Sequence, residues 1–89
     1  MKFEDMMKTD LFDRIGLEIR VARTRAQRTQ EELARAINVP ATSFSHWENG
    51  KRPISIENLY KIAQELGCEP TDFMPSRTVI DYKEVHHVR

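Results

Sequence analysis

Arginine is the side chain whose density along this chain most invites a chemical reading. Residues 14–28 hold five of them (Arg14, Arg20, Arg23, Arg25 and Arg28) against a single acid, Glu18, a local balance of +4. Residues 1–13 hold four acids and two lysines, a local balance of −2. A segregated basic stretch attracts phosphates over about 8 Å at physiological salt, even on a chain whose formal net charge is zero. The competing reading is that some of these guanidinium groups simply face water. Other chemistry finds little support. The single cysteine, Cys68, allows no intramolecular disulfide and no thiolate cluster, which suits a reducing compartment. Adjacent His86 and His87 point apart on an extended strand and have no third ligand nearby, so no metal is implied. Glu31 and Glu32 fall in a helix first turn, where the helix dipole favours acids. No nucleophile–base pair and no glycine-rich phosphate loop stands out, so no cofactor is implied and a catalytic role is disfavoured.

The elements that must position the basic groups are helical. Residues 11–27 fit a first helix with Leu11, Ile15, Ile19, Ala22 and Ala26 as its apolar stripe, capped by Thr9 or Asp10. In residues 29–50, TQEELARAINVPATSFSHWENG, Thr29 and Glu32 have capping-box spacing, and Leu33, Ala34 and Ile37 form one face. Pro40 biases Val39 out of the helical region and breaks the helix. A second short helix over residues 41–49 turns Phe44 and Trp47 inward, and Gly50 stops it. Two short helices separated by three or four residues make a helix-turn-helix, whose second helix has the size to enter a DNA major groove. Ser55 caps a fourth helix with Leu59, Ile62, Ala63 and Leu66 inward, and Gly67 ends it. Pro70 opens a short fifth helix through Met74. The predicted core is Ile19, Leu33, Phe44, Trp47, Leu59, Ile62 and Leu66.

Eighty-nine residues with 39% hydrophobic and 31% charged content make one small domain. No apolar run reaches the roughly 18 residues of a membrane span, and the N-terminus is not secretory, so a cytoplasmic location is expected. The division expected is a flexible segment at 1–10, a helical domain at 11–75 and a tail at 76–89. That tail holds Val79, Ile80, Tyr82, Val85 and Val88 and reads as an extended, β-prone strand or as a disordered tail. A lone strand has no internal partner, so if the tail is ordered a second copy of the chain is its expected contact, with Phe73 and Met74 of the fifth helix joining the tail in the dimer surface and a protein partner as the alternative.

The segments IGLEIRVARTRAQ, TQEELARAINV, SFSHWENGKRP and SIENLYKIAQELG resemble the Cro/repressor-type, XRE-like helix-turn-helix family over about two-thirds of the chain. The resemblance implies an all-α fold: a compact five-helix, lambda-repressor-like domain that binds operator DNA, usually as a homodimer on an inverted repeat. It makes residues 41–49 the recognition helix, with Ala41, Thr42, Ser43, Ser45 and His46 on its base-reading face. It places Gln30, Asn49, Lys51, Arg52 and Arg28 toward phosphates. It also pairs Arg23 with Glu48 as an internal ion pair, and gives Cys68 a position usually small and apolar. The chain departs from many relatives in having Pro40 and Ala41 where polar residues are common. No Arg, Gln or Asn of the third helix is placed for bidentate base contacts, which gives weight to shape readout. The function implied is transcriptional regulation, with repression by operator occupancy. The alternative is an antitoxin or adaptor of the same fold, engaging a toxin or the transcription machinery through the tail.

Overall fold

The computed structural model describes the backbone of residues 3–75 and the side chains of residues 11–75. Among the described residues, four α-helices and one 3-10 turn follow in order: α1 Phe3–Arg25, α2 Gln30–Ala36, α3 Ala41–Glu48, α4 Ile56–Leu66, and the turn Pro70–Phe73. No strand occurs among the described residues, and none of their helices is long and apolar enough to cross a membrane. The expected tail at 76–89 lies outside the described residues.

α1 begins at Phe3, eight residues ahead of the expected start. Thr9 and Asp10 lie inside the helix and do not cap it. The physical reason is that residues 3–10 contain no glycine or proline to interrupt a helix, and Glu4 and Asp5 suit a first turn. The fifth element also departs from expectation. Pro70 and Pro75 bracket too few residues for α-helical bonding, and the segment closes instead with i→i−3 bonds from Asp72 N to Glu69 O and from Met74 N to Thr71 O.

All four helices end in the same way. A left-handed residue follows each: Gln27 (φ 58°), Asn38 (φ 62°), Gly50 (φ 73°) and Gly67 (φ 72°). The next amide then reaches back five residues: Arg28 to Arg23, Val39 to Ala34, Lys51 to His46, and Cys68 to Ala63. This is the Schellman pattern. Asparagine and glycine enter that conformation readily; Gln27 does so at a cost on the order of 1 kcal/mol. At the other end of α2, Thr29 and Glu32 form a reciprocal capping box. Ser55 Oγ accepts from Asn58 N to start α4.

One core joins these elements. Ile15 and Ile19 of α1, Leu33, Ala34 and Ile37 of the α2 segment, Phe44 and Trp47 of α3, Leu59, Ile62 and Ala63 of α4, and Phe73 are all buried. The Phe44 and Trp47 rings meet at 6.0 Å between centroids and 53° tilt, an edge-biased aromatic contact. Leu66, expected in the core, is only half-buried at its edge, because α4 ends there and Gly67 is exposed.

Candidate nucleic-acid interface

The geometry of α3 is fixed from α1. Gly16 is buried in the middle of α1, where a Cβ would collide with the Trp47 carbonyl oxygen and sit 2.7 Å from that of Glu48. The absent side chain lets the two helix backbones touch. Gly50, just past α3, also lies beside α1, but there a Cβ would strike the flexible Asp13 side chain, and its left-handed φ of 73° favours glycine on its own. A mid-helix glycine costs up to about 1 kcal/mol relative to alanine, so its presence signals close approach.

Glu48 stands at this contact with its carboxylate fully buried. Arg23 grips it as a fork, Nε to Oε2 at 2.6 Å and Nη2 to Oε1 at 3.2 Å. Gln30 Nε2 donates to Oε1 at 2.8 Å, and Arg20 Nε lies 3.7 Å from the same oxygen. Burial of an ion is tolerable only when its lone pairs are satisfied, and here the Arg23 fork and the Gln30 amide, from two other elements, satisfy them while Arg20 adds a longer charge contact. No buried side-chain polar atom among the described residues lacks a partner. The same Arg23 donates from Nη1 to the Arg28 carbonyl at 2.8 Å, which fastens the left-handed corner at Gln27. One carboxylate therefore ties the end of α1, the start of α2 and the end of α3 into a rigid unit.

The expected base-reading residues lie on α3, with differing exposure. Thr42 is exposed; Ser43, Ser45 and His46 are half-buried. Ala41 is half-buried against the core's edge beside Val39 and Pro40, so its methyl is partly spent on packing. Pro40 precedes α3 and gives no side-chain cap, which leaves the first-turn amides without an internal side-chain acceptor. Asn49, Lys51 and Arg52 are exposed just beyond the helix.

The arginines do not form a single basic face. Arg20 and Arg23 turn to Glu48, Arg28 pairs with Glu65 of α4 at 3.6 Å, and Arg14 and Arg25 are exposed. The expected phosphate role of Arg28 is thus rivalled by a bond between α2's leading corner and α4. Gln30 is likewise engaged inward, although its Nε2 carries a second proton. Sequence reasoning missed Gly16, Arg20 and the Gln30–Glu48 bond; a glycine within an otherwise apolar helical stripe was the available signal for the first.

Among the described residues two titrating groups are perturbed. The backbone N–H of Thr29 holds the Glu32 carboxyl below its ordinary range, as a capping box should. Partial burial pushes the Cys68 thiol up, aided by Asp72 and Glu69, so it stays protonated near neutral pH. Cys68 is half-buried at the core's edge, less enclosed than its family position implied. Among the described residues no cluster of histidine, cysteine and acids is arranged to hold a metal; His86 and His87 lie outside them.

Comparison with known proteins agrees with this architecture. A profile of the helix-turn-helix family matches residues 19–73. The chain is 37% identical over 57 residues to the HTH-type transcriptional regulator DicA of Escherichia coli K12, a match covering 64% of this chain and 42% of DicA. It therefore spans under half of that relative. It is 32% identical over 65 residues to control protein C.BamHI of Bacillus amyloliquefaciens, covering 72% of this chain and 80% of that protein. In structure it matches the P22 c2 repressor solved in complex with a synthetic operator, with TM-score 0.63, 27% identity, and coverage of 67% of this chain and 91% of the repressor. With a motif legible in its residues, α3 held against α1 and α2, and a profile spanning more than half its length, the chain belongs to the XRE-type helix-turn-helix family of DNA-binding transcription regulators.

Proposed function

We propose that this protein is a sequence-specific transcriptional repressor that binds an inverted-repeat operator as a homodimer, with α3 in the major groove. The observation that carries this reading is the fixed unit around Glu48. It presents Thr42, Ser45 and His46 on a rigid helix, with exposed Asn49, Lys51 and Arg52 at the helix's end. Rigid placement matters because hydrogen bonds to base edges discriminate only when the donors are held in register. The operator-bound relative supports the same docking.

Asn49, Lys51, Arg52 and the second amide proton of Gln30 are assigned to phosphates. Arg28 is assigned to the α2–α4 corner on account of its bond to Glu65. Thr42, Ser43, Ser45 and His46 are assigned to base edges and Ala41 to a minor apolar contact. One α3 spans too few base pairs to single out a genomic site, so two copies about 34 Å apart are needed. Residues 76–89 are the proposed dimer or partner contact; Phe73, expected to share that surface, is buried in the core, and Met74 is half-buried against it. The protein acts by binding, not catalysis, and works in the cytoplasm.

Selection of duplexes from a random pool by the full chain tests this. The selected site should be an inverted repeat. Thr42→Ala, Ser43→Ala and His46→Ala should each relax preference at a particular base pair by about 1–3 kcal/mol. Asn49→Ala should weaken selected and random duplexes alike. Unchanged base preference in all three folded α3 variants would refute the assignment.

A further inference from the structure

We propose that Arg20 is a positioning residue that sets the orientation of the Asn49 carboxamide at the end of α3; the DNA-binding part of this rests on the function proposed above. Arg20 Nη2 donates to Asn49 Oδ1 at 3.1 Å. A guanidinium offers only donors, so the amide oxygen must face Arg20 and the Nδ2 group must face away. Nδ2 then lies 3.5 Å from Ser45 Oγ, a contact at the outer limit of hydrogen bonding, which leaves its protons largely available. An acceptor such as a phosphate oxygen needs that donor side outward. Turned the other way, the carbonyl oxygen would meet the phosphate and repel it.

Arg20 is itself held in place. Its Nε is 3.7 Å from buried Glu48 Oε1, while its side chain remains half exposed. The charge of Glu48 thus reaches the interface through Arg20 to Asn49 and on toward Ser45, linking the internal unit to the surface of α3. Arg23 and Gln30 satisfy Glu48 without help from Arg20. Loss of Arg20 should therefore leave the fold intact and free the Asn49 amide to rotate.

Two measurements on the full chain test this. The first uses no DNA. In the wild-type chain, nuclear Overhauser contacts should run from the Asn49 Nδ2 protons to Ser45, and the Asn49 side-chain amide resonances should differ from coil values. In Arg20→Met the contacts should vanish and the resonances should move to coil values. Absence of these contacts in the wild type, or unchanged resonances in the variant, overturns the proposal whether or not the protein binds DNA. The second is a double-mutant cycle on a labelled mixed-sequence duplex of about 30 base pairs, long enough for two half-sites one turn apart. Arg20→Met should weaken binding about 5-fold in the wild-type background, and under about 2-fold when Asn49→Ala is already present, since coupled residues act non-additively. Equal losses in both backgrounds would mean that Arg20 meets the phosphate independently, and would overturn the positioning role. No binding by the wild-type chain would refute the proposed function instead, and the DNA-free measurement would still decide the orientation of Asn49.

Discussion

Two seams of this small domain are built on different physics. Where α1 meets α3, the backbones touch at Gly16 and a buried carboxylate gathers an arginine fork and an amide. Where α4 and the 3-10 turn close the other part of the core, Leu59, Ile62 and Phe73 pack as apolar side chains. The glycines mark the same division. Gly16 has ordinary helical geometry and no room for a Cβ; Gly67, after α4, has open space around it and a left-handed φ. Apolar contacts are non-directional and tolerate small shifts. Forked hydrogen bonds on a buried charge fix angles as well as distances. The seam that aims α3 is the directional one, and the seam that supplies bulk stability is the forgiving one.

The largest stability effect should come from the apolar seam. Phe73→Ala should cost about 4 kcal/mol from lost transfer energy and the cavity left behind. Chemical denaturation reads this loss, and DNA affinity of the fraction still folded should remain near wild type. An equally large loss of affinity would erase the distinction between the seams. Arg23→Ala should cost somewhat less, about 3 kcal/mol, because Gln30 still shields a buried and now poorly paired carboxylate. Its DNA affinity, measured where the variant is fully folded, should fall more than that of Phe73→Ala. Gly16→Ala should cost about 2 kcal/mol by overpacking. Since the inserted methyl meets backbone rather than a flexible side chain, α3 must shift. The signature to look for is amide chemical-shift changes spread along residues 41–50 while those of α4 stay put.

The smallest effect is acidic and local to α2. The Glu32 carboxyl is lowered below its ordinary 4.5 by the Thr29 amide. Its folded value lies below its unfolded value, so its contribution to the α2 start is present above the unfolded value and fades as pH falls through the lowered folded one. Carboxyl carbon resonances followed by NMR should show Glu32 titrating below 4.5, with the Thr29 amide moving in step. A midpoint at or above 4.5 would show the capping box to be open in solution.

Local chemistry was legible in the residues alone. Thr29 and Glu32 declare a cap by their spacing, and Pro40 and Gly50 declare helix ends, because each signal acts within about one turn of chain; that Asn38 takes the left-handed position is not read from them. The start of α1 escapes the sequence for the same local reason: Thr9 and Asp10 resemble caps, yet a helix formed on both sides absorbs them. The fifth element was read as a helix because Pro70 suits a first turn, while the brevity enforced by Pro75 set its type. Arg20, Gln30 and Asn49 carry no local sign that they serve Glu48 or one another. They lie 18–29 residues from their partners, and only the approach permitted at Gly16 brings them together. The face of α3 was legible as polar, but not the degree to which Ala41 packs against the core's edge.

On the proposed function, Gln30, Asn49, Lys51 and Arg52 grip the phosphate backbone of a duplex, and that grip must show in the salt dependence of binding. Affinity of the full chain for the duplex it selects, measured from about 50 to 200 mM salt, should fall with a log–log slope of roughly −5 to −9, as expected for a dimer touching three to five phosphates per subunit at about 0.9 each. A slope indistinguishable from zero would mean that the protein makes no phosphate contacts and does not bind DNA in this way.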